Sequence, residues 1–468
     1  MSAARDVSRR DAVKLAGAAT VAAAASTIQG APFISKVKAA NNQVPYAFIG
    51  TGGRGQYLLK HFNGIDSGRC VAVCDIYEPN LKKGIETSKD KPQGYFDYRE
   101  LLARKDIEAV FITTPLYMHF PVTRDALLAG KHVFCEKSLV FRPEEIHALR
   151  KLVNERPKQV LQVGLQRRYS KFYQTAKQMI DKGVIGNVTH AYAQWHRNPG
   201  WTMKEFPTRQ REMNWRLFRE FSGGLTAELA SHQIDVADWC FGATPEFVVG
   251  VGGLEFVKDG RDVYDNIQLI YKYPRGQKLV YSSISTNKHL SLFQGTRTEF
   301  GERIMGTEGT IEITVGTDNE PAIGLWYSEP GPKVTKEEQK KKVEAVAGAT
   351  LASTGSGARA LPILFERDMV TGKESFIERE LKFARRWLYA KGIMVPEENR
   401  NPVDIELEGF LECVRTGARP KADLEIGLAD STAVILSNLA MDEGRRVYFN
   451  EIDKMGLSQP AAANSRKT

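Results

Sequence analysis

The sequence predicts two domains: an α/β domain built on a parallel sheet, followed by an α+β domain with a large, mainly antiparallel open sheet. The chain has 468 residues, too many for one ordinary hydrophobic core. From residue 44 to about residue 163, short apolar strand segments alternate with helical segments, a pattern typical of a parallel sheet. Beyond residue 187 the apolar runs are longer and few helical segments separate them, which indicates antiparallel pairing.

The first domain opens with a strand, a glycine-rich turn and a helix. An apolar segment at 44–49 leads into Gly50, Gly52 and Gly55, which are spaced as G-x-G-x-x-G. The first glycine permits the tight turn, the second lets the backbone approach a pyrophosphate, and the third allows close helix packing. The pattern predicts a Rossmann domain that binds the phosphates of a dinucleotide at the helix N-terminus. The predicted contacts in this turn are Gly50, Thr51, Gly52, Gly53, Arg54 and Gly55.

An acidic residue follows at the position that binds the ribose in dinucleotide-binding domains. Asp75 ends the second apolar strand, twenty residues after Gly55. A carboxylate at this place accepts hydrogen bonds from both ribose hydroxyls and repels a 2′-phosphate. We therefore expect NAD rather than NADP as the cofactor.

The other strands and the domain limits follow from the same patterns. Strands of the Rossmann domain are expected near residues 44–49, 69–75, 107–113, 131–135 and 159–163. Strands of the second domain are expected at Val188–Trp195, Phe247–Phe256, Asn266–Tyr273 and Lys278–Thr286. The Rossmann domain is placed at 41–163 and the second domain at 164–455.

Three regions outside these strands have distinct compositions. Residues 330–360 are polar and loose, so an exposed insertion is expected at about 317–380. The stretch 402–446 is predicted to be helical, and the tail at 456–468 to be disordered.

The N-terminus has the features of an export signal. Arg9 and Arg10 precede an uncharged, alanine-rich run that is too weakly apolar for a stable membrane span. Residues 1–40 thus resemble a twin-arginine signal peptide, and the alternative is a disordered basic tail beside an alanine-rich helix. The signal predicts a periplasmic protein, exported folded with its cofactor, which would then have to be regenerated in place.

Charge and cysteine content argue against several classes of protein. The net charge of +9 is spread along the chain without a basic stripe that contains interleaved aromatics, so nucleic-acid binding is not expected. The five cysteines show no C-x-x-C spacing and lie mostly in apolar runs, so neither a zinc site nor a disulfide framework is indicated. No metal is expected.

Three further segments carry chemically active side chains. Thr114, Pro115 and His119 follow the strand near 107–113, and Glu136 and Lys137 follow the strand near 131–135. Ligands bind outside the carboxyl ends of parallel strands, so both loops are expected beside the nicotinamide, with His119 as a hydrogen-bonding residue at a helix start. In a third segment, Glu228 and His232 are four residues apart, which is one turn of an α-helix.

With these motifs, residues 44–449 resemble the Gfo/Idh/MocA family, which contains glucose-fructose oxidoreductases and inositol dehydrogenases. The family's Glu-Lys-Pro motif matches Glu136 and Lys137, although Ser138 replaces the proline and removes a φ constraint. Its G-G-x-x-x-D-x-x-x-H helix matches Glu228 and His232, with glutamate in place of aspartate. The resemblance implies that His232 removes the hydroxyl proton, Glu228 orients the imidazole and Lys137 polarises the oxygen.

Aromatic and multidentate polar residues between positions 166 and 221 suit a pyranose ring, whose apolar face stacks while its hydroxyls find polar partners. The alternative is that these aromatics belong to the core. The segments concerned are Gln166-Arg167-Arg168-Tyr169, Trp195-His196-Arg197, Trp201 and Asn214-Trp215-Arg216. The predicted substrate-binding residues are Arg167, Tyr169, Trp195, Trp215 and Asp235, of which Asp235 is as readily a structural acid on its helix face.

The expected function is an NAD-dependent oxidoreductase that acts on a sugar, polyol or glycoside, with a tightly held cofactor and a homo-oligomeric (dimeric or tetrameric) state. One alternative is a redox-neutral NAD-dependent glycosidase of the same fold. Those glycosidases lack the acid one turn before the histidine, so Glu228 favours the dehydrogenase. The other alternative is a non-catalytic nucleotide-binding protein, which the joint presence of lysine, glutamate and histidine disfavours.

Overall fold

The computed structural model describes residues 43–287, 300–314, 323–328, 360–362 and 400–455. The predicted signal at 1–40, most of the predicted insertion at 317–380 and the predicted tail at 456–468 lie outside these residues.

A six-stranded parallel sheet forms the first layer of the fold. Its strands are β1 (Val44–Ile49), β2 (Gly68–Cys74), β3 (Gln93–Tyr95), β4 (Ala109–Ile112), β5 (His132–Cys135) and β6 (Leu161–Val163). Their order in the sheet is β3-β2-β1-β4-β5-β6. The chain therefore reverses its direction of winding between β1 and β4, and such a switch point opens a crevice at the carboxyl ends of the strands.

Helices cover both faces of this sheet: α1 (Gly53–Phe62), α2 (Glu78–Thr87), α3 (Tyr98–Leu102), α4 (His119–Leu128), α5 (Pro143–Asn154) and, from far along the chain, α9 (Pro402–Thr416). Helix α1 buries Leu58, Leu59 and Phe62 against the sheet. Phe410 of α9 packs edge-on against Phe111 of β4, with ring centroids 5.2 Å apart. A segment near the C-terminus thus completes the core of the first domain.

A nine-stranded sheet forms the second layer among the described residues. Its further strands are β7 (Val188–Trp195), β8 (Phe247–Gly253), β9 (Asn266–Lys272), β10 (Lys278–Ile284), β11 (Phe300–Gly306), β12 (Gly309–Thr314), β13 (Ile323–Ser328), β14 (Ala360–Pro362) and β15 (Val447–Tyr448). The order is β14-β13-β12-β11-β7-β10-β9-β8-β15, and the neighbouring strands are antiparallel except for β7 and β10. The predicted fold class is confirmed, and β8 ends three residues earlier than expected.

Among the described residues, one face of the second sheet is covered by helices and the other is open. The remaining helices are α6 (Lys171–Asp181), α7 (Gln210–Met213), α8 (Ser231–Phe241), α10 (Leu424–Glu443) and α11 (Glu451–Met455). By length and composition alone α10 could cross a membrane, but 61% of its most apolar window is buried inside the protein, as in a core helix. On the open face, Tyr192, Val251 and Ile270 are 38%, 70% and 45% exposed.

Candidate functional site

A cavity of about 900 Å³ lies between the two sheets. The carboxyl-terminal loops of β1, β4 and β5 form one wall, and the end of β7 with the segment that leads into α8 forms the other. The first wall provides backbone groups at a switch point of a parallel sheet, and the second provides aromatic and charged side chains. The two walls are therefore suited to different halves of a reaction complex.

The glycine-rich turn contains two kinds of glycine. Gly50 has a φ of +93°, and a Cβ there would lie 2.8 Å from the backbone of Thr113. A Cβ on Gly55 would overlap the carbonyl oxygen of Gly50. By contrast, a Cβ on Gly53 would meet nothing within 4 Å, and one on Gly52 only Asn80 Nδ2 at 3.8 Å. Packing within the protein thus requires the first and third glycines, while the middle pair leaves open space.

This open space lies at a helix N-terminus that has no side-chain cap. Helix α1 begins directly after Gly52, and its first turn contains no acidic residue. Its first amides are left to bind an anion, which the helix dipole also favours. Gly52, Gly53 and Arg54 line the cavity, whereas Thr51 and Gly55 lie behind it. The turn therefore fits the pyrophosphate of a dinucleotide.

Asp75 is fixed by the backbone around it. Its Oδ2 accepts a hydrogen bond from the amide of Thr51 at 2.8 Å, and its Oδ1 from the amide of Tyr77 at 2.9 Å. Burial raises the pKa of this carboxyl group, and the two amide hydrogen bonds oppose that change. Asp75 lines the cavity beside the apolar side chains Ile76 and Phe96, which are 52% and 58% exposed. These exposed apolar side chains next to Asp75 provide a surface on which a flat base can pack.

The loops after β4 and β5 are tied together at the middle of the cavity. His119 contacts two carbonyl oxygens, that of Ser138 through Nδ1 at 2.7 Å and that of Thr114 through Nε2 at 3.0 Å. Burial lowers the pKa of His119. Arg54 Nε donates to Glu136 Oε1 at 2.6 Å, which joins the glycine-rich turn to the β5 loop. All five predicted residues of these two loops line the cavity: Thr114, Pro115, His119, Glu136 and Lys137.

Lys137 crosses from the first wall to the second. Its Nζ donates to the carbonyl oxygens of Ala227 and Glu228, at 2.7 Å each. These carbonyls belong to a π-helical turn, Thr226–Ala230, that precedes α8. Burial lowers the pKa of Lys137, although Glu228, Asp430 and Glu136 oppose the change. Because an ammonium group has three N–H donors, two are committed to the protein and one is left for the cavity.

The predicted contact between Glu228 and His232 is not formed, so the expectation that Glu228 orients the imidazole was wrong. The carboxylate of Glu228 accepts instead from Arg216 Nε at 2.7 Å. The physical reason is the π-helical turn, whose i→i+5 hydrogen bonding takes residues four apart out of the alignment they have in an α-helix.

His232 lines the cavity beside Trp195, and the centroids of the two rings are 5.9 Å apart. Among the described residues, its buried Nδ1 has no hydrogen-bond partner. Burial places the pKa of His232 well below its usual value, and the positive charges of Lys137, Arg167 and Arg54 lower it further. The imidazole is therefore neutral near pH 7 and can accept a proton.

The predicted substrate-binding residues divide into two groups. Trp195 and Trp215 line the cavity. Arg167 is buried behind it in an ion pair with Glu302, and Asp235 accepts three hydrogen bonds from Arg168, at 2.6–3.1 Å. Tyr169 is 3% exposed and packs against α9. None of this second group lines the cavity, although Arg167 lies 5.6 Å from the ring centroid of Trp195 in the second wall.

Other cavity residues did not stand out in the sequence. Arg197, Trp201 and Arg216 belong to the segments rich in aromatic and polar residues, but nothing in the pattern separates them from the buried arginines. Ile76, Asn80 and Phe96 also line the cavity with Asp75. No motif in the sequence marks them as site residues, because the fold brings them together. Within the part of the chain that the structure describes, no group of three or more His, Cys, Asp or Glu side chains could hold a metal ion.

Fold and site together define a two-domain dinucleotide-binding protein whose cavity lies between a Rossmann sheet and a second, open sheet. Residues 44–165 match the oxidoreductase family with an NAD-binding Rossmann fold, and residues 173–312 match the Gfo/Idh/MocA C-terminal domain. These two matched segments make up more than half of the chain. The chain belongs to the Gfo/Idh/MocA family.

Similar proteins are found among curated sequences and solved structures. Inositol 2-dehydrogenase of Salmonella paratyphi B is 31% identical over 183 residues, which are 39% of this chain and 50% of the enzyme. The 2,7-anhydro-N-acetylneuraminate hydratase of Mediterraneibacter gnavus is 28% identical over 278 residues, 58% of this chain and 67% of that protein. The chain thus spans about half the length of its inositol dehydrogenase relatives.

Aldose-aldose oxidoreductase from Caulobacter crescentus has a similar structure, with a TM-score of 0.62. It is 19% identical in sequence, and the alignment covers 87% of this chain and 99% of that chain. At this level of identity the likeness supports the fold alone.

Proposed function

We propose that the protein is an NAD-dependent oxidoreductase that oxidises a carbinol group of a sugar, polyol or glycoside. The observation that carries this proposal is that Lys137 and His232 line the same cavity as the open glycine-rich turn. A relative named inositol 2-dehydrogenase supports the substrate class.

Each residue has a defined task in this proposal. The free N–H of Lys137 donates to the substrate's hydroxyl oxygen, and the neutral imidazole of His232 accepts the hydroxyl proton. The indole of Trp195 provides an apolar face beside His232. NAD, when bound, takes the hydride from the carbinol carbon. Glu228 acts indirectly, because its backbone positions Lys137 and its carboxylate holds Arg216.

We also propose that the cofactor is NAD rather than NADP, and that it stays bound through the catalytic cycle. Asp75 supports the first part, since its fixed carboxylate repels a 2′-phosphate. The position of the cavity between two walls supports the second, because a ligand there is enclosed from both sides.

The test is a screen of the purified full chain against neutral and acidic sugars, polyols and glycosides. NADH formation is followed by absorbance, and the products are identified by mass spectrometry. Reduction of NAD with a ketone product is the expected result. The absence of both NADH and any product would contradict an enzymatic function and leave the nucleotide-binding alternative.

A redox-neutral lyase or glycosidase remains the second candidate. It is favoured by the relative named a hydratase, which shares a longer segment with this chain than the dehydrogenase does. The same screen separates the two, because a redox-neutral cycle consumes a glycoside or releases an unsaturated sugar without net NADH.

A homo-oligomer is also proposed. The exposed apolar side chains Tyr192, Val251 and Ile270 lie on the open face of the second sheet, which a second copy could cover. Replacing Ile270 with Lys should shift the mass measured by light scattering from oligomer to monomer. An unchanged mass would place the interface elsewhere.

Export through the twin-arginine route is proposed on the sequence of residues 1–40 alone. Replacing Arg9 and Arg10 together with Lys should retain the protein in the cytoplasm. Recovery of the variant from the periplasm in normal amount would contradict this route.

A further inference from the structure

The charges at the substrate end of the cavity do not balance. The charged side chains that line this end are Arg197, Lys204, Arg216, Glu212 and Glu228. The two acids are engaged by arginines: Glu228 accepts from Arg216 Nε at 2.7 Å, and Glu212 accepts from Arg209 Nη1 at 2.9 Å. Arg197 and Lys204 have no ion pair with any residue that the structure describes.

Arg197 differs from the buried arginines behind the same wall. Arg167 is paired with Glu302 and Arg168 with Asp235, so each of these guanidinium groups has its own carboxylate. Arg197 is half-buried at the end of β7, and its guanidinium lies over the ring of Trp201, 4.4 Å from the ring centroid. No described residue accepts a hydrogen bond from its side chain. Its planar set of donors is thus held in place and left available.

The surroundings of Arg197 favour a negative ligand. Arg216 lies beside the same aromatic side chains, 4.1 Å from the ring centroid of Trp215 and 5.6 Å from that of Trp201. Burial lowers the pKa of Arg197, the charge of Arg216 lowers it further, and only Glu228 opposes this. A half-buried cation beside a second cation is costly unless an anion binds there.

We propose that Arg197, with Arg216, binds a carboxylate on the substrate, so that the enzyme acts on an acidic sugar such as a uronic acid. The inference rests on the proposed sugar oxidoreductase function. Arg197 and Arg216 less Glu228 leave one net positive charge beside Trp201, which one carboxylate neutralises, and Lys204 adds to the positive charge of this end of the cavity. A guanidinium group also accepts a carboxylate through two parallel hydrogen bonds.

The position of the positive charge of Arg197 and Arg216 relative to Lys137 agrees with a substrate that has a single sugar ring. Glu228 connects the two parts of the site: its backbone carbonyl accepts from Lys137, and its side chain accepts from Arg216. The carboxylate-binding group is therefore anchored to the same residue as the lysine that contacts the reacting hydroxyl. A sugar acid can reach both, and Trp195 and Trp215 line the same cavity as apolar faces for its ring.

The test compares glucose with glucuronate, two sugars that share a ring and differ in the carboxylate. The unmodified protein should have the higher kcat/KM for glucuronate, with a preference that weakens as salt is added. In Arg197→Gln, the ratio of kcat/KM for glucuronate to that for glucose should fall by about 10- to 100-fold, as expected for a lost charge-assisted hydrogen bond. Arg197→Lys should give an intermediate ratio, since it keeps the charge and loses the fork.

The matched control is Arg219→Gln. Arg219 also lies 4.4 Å from an aromatic centroid, that of Tyr264, but it is paired with Asp442 and does not line this cavity. Its replacement should leave the ratio unchanged. A preference of the unmodified protein for glucose, or equal losses on both sugars in Arg197→Gln, would overturn the proposal.

A binding measurement separates this proposal from the proposed function. Quenching of tryptophan fluorescence by glucuronate and by glucose, with NAD present, needs no turnover and reports on Trp201 beside Arg197. If no compound of the screen is oxidised but glucuronate binds and Arg197→Gln abolishes that binding, the oxidoreductase function fails and the carboxylate site stands. If glucose is oxidised and glucuronate does not bind, the carboxylate site fails and the oxidoreductase function stands.

Discussion

The two ends of the cavity are built in different ways. At the cofactor end, the glycine-rich turn is formed by consecutive residues between β1 and α1, and the groups that it leaves available are backbone amides. At the substrate end, the contacts come from β7, the π-helical turn and the loops between them, and the groups are side chains whose partners are distant in sequence. A site made of backbone is fixed by local sequence, whereas a site made of side chains is fixed by tertiary pairing.

The largest expected effect tests the reaction at the boundary between the two ends. His232→Ala should lower the rate of single-turnover NAD reduction by about two to four orders of magnitude while NAD stays bound, because the proton acceptor is lost. Cofactor occupancy is checked by mass spectrometry. In the unmodified protein, activity should fall as the pH drops through the lowered pKa of His232, below its usual value.

His196→Ala is the matched control for this experiment. His196 is equally buried, has an unpartnered Nδ1 and a pKa lowered by burial to about 4, but it does not line the cavity. Its loss should leave the single-turnover rate near normal. A His232→Ala enzyme at full rate would remove histidine from the mechanism and make Lys137 the base.

The second prediction tests whether Asp235 supports the substrate end rather than contacting the substrate. Asp235→Asn breaks a buried ion pair and leaves the charge of Arg168 uncompensated, so the free energy of unfolding should fall by about 3–5 kcal/mol. The KM for sugar should stay the same in the folded fraction. Asp181→Asn removes an exposed ion pair with Lys177 and should cost less than about 1 kcal/mol. A raised KM with normal stability would return Asp235 to the substrate site.

The same contrast explains which parts of the molecule were predictable. Periodicity and the spacing of Gly50, Gly52 and Gly55 predict the fold class and the position of the glycine turn, because each depends on short-range geometry. Nothing in the sequence distinguishes Arg167, which has its carboxylate 135 residues away, from Arg197, which has none among the described residues. The π-helical turn was also missed, since its spacing of acid and histidine is that of an ordinary helix.

The third prediction concerns a buried acid behind Lys137. Neither carboxylate oxygen of Asp430 has a hydrogen-bond partner among the described residues. Burial raises the pKa of Asp430 to about 7; Asp235 adds to this, while Lys137, the nearby hydroxyl of Ser138 and Arg168 oppose it. The folded protein therefore keeps a proton that the unfolded chain releases near pH 4, and this group makes the folded state less stable as the pH rises from 4 to 7.

Asp430→Asn should remove this loss of stability between pH 4 and pH 7. Relative to the unmodified protein, the variant's free energy of unfolding should rise between pH 4 and pH 7 by an amount on the order of a few kcal/mol. Urea titrations at several pH values measure it. A difference that stays constant with pH would show that Asp430 is ionised normally in the folded protein.

The smallest expected effect tests the cofactor end through Asp75, the side chain on which the proposed preference for NAD rests. Asp75→Ser removes the carboxylate that repels a 2′-phosphate, but its hydroxyl can still accept a hydrogen bond from the turn. The ratio of the Kd for NADP to the Kd for NAD should fall by about tenfold, equivalent to about 1.4 kcal/mol. Asp97→Ser is the control, because Asp97 lines the same end and caps helix α3. Equal binding of NAD and NADP by the unmodified protein would show that the acid does not read the ribose. The cofactor end would then depend, like the substrate end, on side chains that the sequence pattern does not identify.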